Sequence, residues 1–210
     1  MAPSCIMPGM PRIAIPSGAL VVLVGVAGSG KSTFAASHFE PSQVLSSDAF
    51  RAMVADDPAD QRASRAAFEL LHLAARRRLE RGRLTVIDAT SVSRAARIAL
   101  LRLARSVGRP AVAIVLDPPL AVSLARNATR ADRIVAEPIV RRQHVELERW
   151  LAVEDGLAGE GFALVQRLSD PLAEVDLAIV PGARRGEAGP TPGTIPMVPE
   201  RRRPARRTSR

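Results

Sequence analysis

Cysteine is almost absent from this sequence of 210 residues. Cys5 is the only one, and it lies in a proline-rich stretch near the amino terminus. A disulfide framework needs paired cysteines, and cysteine-based metal sites cluster several thiolates. The composition therefore excludes both as the basis of the fold.

Long apolar runs are also missing. The most apolar run, residues 19–26, is far shorter than the roughly 20 residues that span a bilayer. The first 18 residues contain several prolines and glycines and do not resemble a signal peptide. We expect a cytoplasmic protein without a membrane partner, with residues 1–18 as a flexible leader.

Lysine occurs once, as Lys31, whereas 29 of the 30 basic residues are arginine. A coding bias towards arginine accounts for the excess. The one lysine nevertheless lies in a glycine-rich loop, where a compact ammonium and a planar guanidinium are not interchangeable against a triphosphate.

The positive charge is concentrated in the tail. The net charge is +9, of which residues 181–210 contribute +6 and residues 1–180 contribute +3. The folded part is therefore only mildly basic. Since residues 181–210 are mostly proline, glycine, arginine and threonine, we expect a disordered tail.

Strand and helix patterns alternate through residues 19–180. Short β-branched runs at 19–24, 43–46, 84–87, 111–116 and 162–168 predict strands, with a further candidate at 175–180, and amphipathic segments lie between them. This alternation predicts an α/β domain of the P-loop NTPase, kinase-like class. Its open, mostly parallel sheet has about five strands, helices on both faces, and an arginine-rich lid at about 126–137.

A phosphate-binding loop follows the first strand. Its sequence matches the G-x-x-x-x-G-K-[ST] pattern in full, between a buried strand and a helix. The run is Gly25-Val26-Ala27-Gly28-Ser29-Gly30-Lys31-Ser32, followed by Thr33. Backbone N–H groups of such a loop bind phosphate oxygens, Lys31 bridges the β- and γ-phosphates, and Ser32 ligates Mg²⁺. The motif predicts binding of ATP and Mg²⁺.

An acidic residue follows the second predicted strand. Asp48 is expected at the same sheet edge as the loop, where it can accept a proton from an attacking hydroxyl. Arg51, one turn later, can hold an acceptor phosphate. The alternative is that Asp48 only caps a helix.

Another carboxylate, Asp88, ends the third predicted strand. This position favours a second ligand for Mg²⁺ or its waters, and the alternative is a cap on the following turn. Arg126, Arg130 and Arg133 lie between two predicted helices. We expect them to close over the ATP phosphates, and a solvated loop is the alternative.

These segments together resemble the kinase module of bacterial polynucleotide kinase-phosphatases over about residues 19–170. The shared segments are Gly25 to Phe34, Ser46 to Arg51, Val86 to Thr90, Arg126-Asn127 with Asp132-Arg133, and Ile139 to Gln143. The resemblance implies that Asp48 is the general base for a 5′-hydroxyl and that Arg51 contacts the acceptor or the transferred phosphate. It also implies that Arg126 and Arg133 contact the ATP phosphates.

Two departures from the resemblance stand out. Ser91 replaces the usual asparagine, and 210 residues leave no room for the phosphatase and ligase modules of longer members, which would be separate partners. The function expected is ATP-dependent phosphorylation of DNA or RNA 5′-hydroxyl ends. The rivals are a P-loop kinase for a small-molecule hydroxyl and a non-catalytic, nucleotide-dependent binding module.

Overall fold

The computed structural model describes residues 12–130, 133–153, 156–170 and 175–182. Most of the predicted leader and the tail from residue 183 lie outside the described residues, as does Asp132 of the predicted lid. Within the described ranges, no helix combines the length and the apolar character needed to cross a membrane.

Five parallel strands form the central sheet, in the order β3-β4-β2-β5-β6. The strands are β2 (Leu20–Val24), β3 (Val44–Ser46), β4 (Thr85–Asp88), β5 (Ala111–Leu116) and β6 (Leu164–Leu168). Every residue of β2 and β5 is buried, as expected for continuous apolar strands covered on both faces. The predicted fold class is confirmed.

The helices between these strands cover both faces of the sheet. They are α1 (Lys31–His38), α2 (Ser47–Ala55), α3 (Ser64–Glu80), α4 (Arg94–Ser106), α5 (Leu120–Ala128), α6 (Glu137–Leu151) and the short α7 (Gly156–Gly159). Alternate residues of β2 belong to two separate core clusters: Val22 packs with α3 and α4, whereas Val21 packs with Phe34 of α1. The side-chain alternation along a strand thus divides the core between the two faces.

A second, two-stranded parallel sheet includes part of the segment that was predicted to be a flexible leader. Strand β1 (Arg12–Pro16) pairs with β7 (Asp176–Val180), so residues 12–16 are not a flexible leader and the described fold begins before residue 19. Ile13 and Ile15 are fully buried in the α1-side cluster, whereas Arg12 is exposed and lies 3.4 Å from Asp176. The predicted strand near 175–180 exists, but it belongs to this separate sheet.

Candidate functional site

The phosphate-binding loop lies between β2 and α1 and packs tightly against residues of β5 and α5. A Cβ added at Gly25 would lie 2.5 Å from the Leu116 carbonyl oxygen, and one at Gly28 would lie 2.1 Å from the Ser123 carbonyl oxygen. Gly28 also has a φ of 78°, which side-chain-bearing residues rarely adopt. Glycine is therefore required at both positions for the loop to pack against β5 and α5.

Lys31 is the first residue of α1, and its side chain is buried under the loop. Its Nζ donates hydrogen bonds to the Val26 carbonyl oxygen at 2.7 Å and to the Ser29 hydroxyl at 3.3 Å. Burial, with a smaller contribution from the Arg130 charge, lowers the pKa of Lys31 to about 8 against the opposing effect of the Asp88 carboxylate. The ammonium is thus held in the loop as a partly desolvated cation.

A cleft of about 440 Å³ opens at the carboxyl edge of the sheet, next to the loop. Four parts of the chain contribute to it: the loop with the start of α1, the ends of β3 and β4 with the residues that follow them, the end of α5 with the segment that joins it to α6, and Gln143 of α6. The predicted site residues that line it are Gly28, Gly30, Lys31, Ser32, Thr33, Asp48, Asp88, Arg126, Arg130 and Arg133. The predicted residues outside its lining are Gly25 and Ser29, which shape the loop, and Arg51.

Ser32 and Asp88 are the oxygen donors expected to serve Mg²⁺, and both line the cleft. Asp88 ends β4 directly beside Ser46 of β3 and is buried. A hydroxyl and a carboxylate, with waters completing the coordination, suit Mg²⁺, which retains several waters in proteins. The residues present therefore fit this ion.

Asp48 lies at the start of α2 and is surrounded by guanidinium groups. Its Oδ1 accepts a hydrogen bond from Arg133 Nη1 at 3.2 Å and contacts Arg51 Nη2, and its Oδ2 lies 3.7 Å from Arg130 Nη2. The helix is capped instead by Ser46, whose hydroxyl accepts from the Ala49 N–H at 3.5 Å. The carboxylate of Asp48 therefore does not act as the cap.

Arg51 lies behind Asp48 and not in the cleft wall. Its side chain is almost fully buried, and its Nε donates to the Pro58 carbonyl oxygen at 2.8 Å. Burial lowers the pKa of Arg51, and the nearby Arg133 charge adds to this effect. Arg51 contacts Asp48 and does not line the cleft, and its contact with an acceptor or transferred phosphate stays a prediction.

Arg126 carries the clearest sign of an anion site. Its Nη1 is buried and has no hydrogen-bond partner among the described residues, although Arg126 lines the cleft. A buried donor without an acceptor is costly, and a phosphate oxygen would satisfy it. Arg126, Arg130 and Arg133 are each only partly exposed, so they do not form a solvated loop.

Sequence reasoning gave no role to Asn127, which closes the base of the segment joining α5 to α6. Its side-chain amide donates to the Val135 carbonyl oxygen at 2.7 Å and accepts from the Val135 N–H at 3.1 Å. Asn127 is buried. Asn127 therefore ties together the two ends of the segment that joins α5 to α6. The sequence signal that could have identified Asn127 is its position on the buried face of the predicted helix.

Gln143 is the other residue whose role the sequence did not reveal. It lies on α6, and its Oε1 accepts a hydrogen bond from the Ala27 N–H of the phosphate-binding loop at 3.0 Å. It also lines the cleft. This contact joins the helix that follows the arginine segment to the loop, across 116 residues of sequence.

A buried ion pair supports the loop that follows β4. Arg97 is fully buried, pairs with Glu160 at 2.6 Å, and donates to the Ser91 carbonyl oxygen at 3.2 Å. The neighbouring Thr90 carbonyl oxygen accepts from the Gly25 N–H at 3.1 Å. Arg97 and Glu160 therefore hold the segment that connects Asp88 with the phosphate-binding loop.

One further group of potential metal ligands lies outside the cleft lining. Asp117, His144 and Glu148 present ligand atoms within 4.8 Å of one another. Arg167 already donates to Asp117 from its Nε at 2.9 Å and lies 4.0 Å from Glu148. A guanidinium therefore supplies the positive charge at this group.

Among solved structures, the Pnkp1/Rnl/Hen1 RNA repair complex is similar, with 19% identity and a TM-score of 0.54 over 70% of this chain. The match covers 47% of that chain, so this sequence spans about half of its length. A Janibacter sp. HTCC2649 sugar kinase has 23% identity and a TM-score of 0.47, covering 71% of this chain and 84% of that one. The Mycobacterium tuberculosis APS kinase CysC, solved with AMPPNP and APS, has 20% identity and a TM-score of 0.47, covering 77% and 92%.

No curated protein matches the sequence. A family model described as an AAA domain matches residues 20–154, more than half of the chain. This range includes the phosphate-binding loop, Asp48, Asp88 and the three arginines that line the cleft. The chain therefore belongs to this AAA domain family and has a P-loop kinase-like α/β fold.

Proposed function

We propose that this protein is an ATP-dependent kinase that transfers the γ-phosphate to the 5′-hydroxyl end of a polynucleotide. The observation that carries the proposal is the shared cleft: Asp48 lies with the phosphate-binding loop on one side and Arg130 and Arg133 on the other. A carboxylate that faces a triphosphate site is what in-line transfer to a hydroxyl requires.

The donor side of the reaction is supported by the loop and the arginines. Lys31 would bind the β- and γ-phosphate oxygens, and the unpartnered Nη1 of Arg126 would bind another phosphate oxygen. Ser32 and Asp88 would hold Mg²⁺ or its waters, and the ion when bound would neutralise charge on the phosphates. Together these groups would hold the γ-phosphate so that the acceptor hydroxyl can attack the phosphorus from the side opposite its bond to ADP.

The acceptor side depends on Asp48. Its carboxylate would accept the proton of the 5′-hydroxyl as the oxygen forms its bond to the γ-phosphorus and the bond to the bridging oxygen of ADP breaks. Arg51 fixes the carboxylate through a buried guanidinium, itself anchored on Pro58. Arg130 and Arg133 contact this carboxylate and line the same cleft, where they would neutralise charge on the transferred phosphoryl group.

Fewer observations support a polynucleotide as the acceptor than support phosphoryl transfer itself. It rests on the resemblance of the segment Ser46 to Arg51 and of the arginine segment to polynucleotide kinase modules. The similarity in fold to a component of an RNA repair complex is consistent with it. A small-molecule hydroxyl is the alternative acceptor that the experiment must separate.

The test is transfer of labelled γ-phosphate from ATP and Mg²⁺ to 5′-hydroxyl DNA and RNA oligonucleotides. Lys31→Ala and Asp48→Asn should abolish labelling. Asp56→Asn is the matched control, because Asp56 is an exposed residue at the end of the same helix whose left-handed backbone (φ 56°) asparagine tolerates. Bound ATP without labelled ends would reject the polynucleotide acceptor and direct the search to sugars and nucleosides.

A further inference from the structure

A groove of about 530 Å³ runs along one face of α6. Its lining consists of residues spaced at three- and four-residue intervals, namely Arg142, Val145, Glu146, Arg149, Trp150 and Val153. Val145 is 50% and Val153 is 55% exposed, so apolar surface flanks the tryptophan. The groove thus combines a partly exposed aromatic ring, apolar side chains and arginines.

The charges of the groove favour an anion. Arg142 and Arg149 form no ion pair or hydrogen bond with any residue in the described ranges, and both are exposed. The Arg94 guanidinium lies 6.0 Å from the centre of the Trp150 ring. Arg94 does not line the groove and lies 3.8 Å from Glu160, so the lining itself holds two arginines against one carboxylate, Glu146.

The ring of Trp150 lies against a buried guanidinium group. The buried Arg97 guanidinium lies 5.3 Å from its centre and is itself fixed by Glu160. A ring that is ordered before a ligand arrives loses little conformational freedom on binding. Trp150 is therefore suited to stacking against a planar ligand group.

Two short stretches of chain link the groove region to the cleft. On α6, Arg142 of the groove lining directly precedes Gln143 of the cleft lining. Thr90 also lines the cleft, and Arg94 follows it by four residues. A chain whose end lies in the cleft can therefore continue along α6.

We propose that this groove binds the single-stranded part of a polynucleotide whose 5′ end lies in the cleft. The choice of ligand rests on the proposed function. One base stacks on Trp150, and Arg142 and Arg149, about 10 Å apart along the helix, contact phosphates of the same strand. Such binding tolerates any base sequence, because every base can stack on an aromatic ring. It is sensitive to salt, because the arginines contact charged phosphates.

The composition supplies a direct assay. Trp150 is the only tryptophan, and the sequence contains no tyrosine, so the intrinsic fluorescence of the full chain reports on this groove alone. Titration with a 5′-hydroxyl oligothymidylate of about ten nucleotides, without ATP, should quench this fluorescence in a saturable way. Binding seen by anisotropy of a labelled oligonucleotide, with no quenching, would overturn the proposal and place the contact elsewhere.

Variants test the charges and the ring separately. Arg142→Gln and Arg149→Gln should each reduce the slope of log affinity against log salt by about 0.7. Arg102→Gln, at an exposed position on α4, removes the same charge and should leave the slope unchanged. Trp150→Leu should weaken anisotropy-detected binding roughly 5- to 150-fold. If the salt slopes of Arg149→Gln and Arg102→Gln were equal, the proposal would be overturned. This outcome does not depend on whether Trp150→Leu folds.

Phosphoryl transfer separates this proposal from the proposed function. Arg149→Gln should raise KM for the oligothymidylate and leave KM for a dinucleotide acceptor unchanged. Transfer to both acceptors with unaltered KM values in Arg149→Gln would reject the groove and keep the kinase. Quenching with the predicted salt slopes, but no transfer to any oligonucleotide, would reject the polynucleotide kinase and keep the groove.

Discussion

Arg133 Nη1 donates a hydrogen bond to Asp48 Oδ1 at 3.2 Å, although 85 residues separate the two in the sequence. Arg130 lies 3.7 Å from the other oxygen of the same carboxylate. Both arginines also line the cleft beside the phosphate-binding loop. The segment joining α5 to α6 is therefore linked electrostatically to the residue proposed to accept the proton, so donor and acceptor sides share the same cations.

The first prediction concerns this shared cation. Arg133→Gln should lower kcat for phosphoryl transfer by about 10²-fold, because one preorganised donor is lost where transition-state charge develops. The effects of Arg133→Gln and Asp48→Asn should be far from additive, since the two side chains are in contact. Steady-state kinetics of the two single variants and the double variant would measure this. Additive losses would contradict a shared role.

A second prediction follows from the pKa of Lys31, which is lowered to about 8. Bound triphosphate favours the ammonium form, so nucleotide binding above pH 8 should take up a proton. The Kd for ATP should therefore be nearly constant from about pH 7 to 8 and rise above it, approaching tenfold per pH unit. Calorimetric titrations across this range would measure it, with Lys31→Met expected to bind weakly and without this dependence.

The same lysine makes a prediction about stability. Its folded-state pKa lies below the unfolded value of 10.5, so the charged form opposes folding. This penalty is fully present below pH 8 and disappears as the pH rises towards 10.5. Lys31→Met, which keeps the aliphatic stem, should therefore be more stable than the wild type at pH 7 by on the order of 1–3 kcal/mol.

Urea denaturation at neutral and at alkaline pH would check this result. The stability difference should shrink at the alkaline pH, where the lysine of the wild type is neutral in the folded state. A difference that does not change with pH would show that packing around the methionine, and not the charge of Lys31, is responsible.

The central sheet and the phosphate-binding loop could be predicted from the sequence because their signals are local. A β-branched strand, a complete loop motif and a helix follow one another within residues 19–38. Strand β1 was missed because Pro11 precedes it, Pro16 ends it, and its partner, Asp176 to Val180, lies about 160 residues away. Its alternation of buried Ile13 and Ile15 with exposed residues was too short to outweigh the prolines.

In the candidate site, too, local features could be predicted from the sequence and contacts between distant elements could not. Asp48 and Asp88 follow strands, and parallel strands end at one edge, so their proximity to the loop could be predicted. The contacts of Gln143 with Ala27 and of Asn127 with Val135 could not, because they depend on how helices α5 and α6 pack. The position of Arg51 behind Asp48 likewise depends on its anchor at Pro58.

A fourth prediction concerns Asn127. Asn127→Ala removes both partners of the buried backbone of Val135, and it should cost about 2–6 kcal/mol, since each unsatisfied group costs about 1–3. It should also raise KM for ATP, because Arg126 adjoins it and Arg130 and Arg133 lie within the segment it closes. Urea denaturation measures the cost, and a loss of less than about 1 kcal/mol in Asn127→Ala would contradict this account.

The last prediction concerns the buried pair that supports the loop after β4. Glu160→Gln leaves Arg97 buried without a counter-charge, so it should cost about 3–5 kcal/mol of unfolding free energy. The double variant Arg97→Met/Glu160→Leu removes both charges and should cost less than the single change. Urea denaturation of the three proteins tests this order.

The exposed pair Arg65–Glu69 at 3.2 Å is the matched control, because Glu69→Gln there should change stability by less than about 1 kcal/mol. Arg97 also fixes the Ser91 carbonyl oxygen, and Thr90 beside it bonds the Gly25 N–H of the phosphate-binding loop. The double variant should therefore bind ATP more weakly than the wild type even where its stability is largely restored. Unchanged nucleotide affinity in a folded double variant would show that the loop keeps its shape without the Arg97–Glu160 pair.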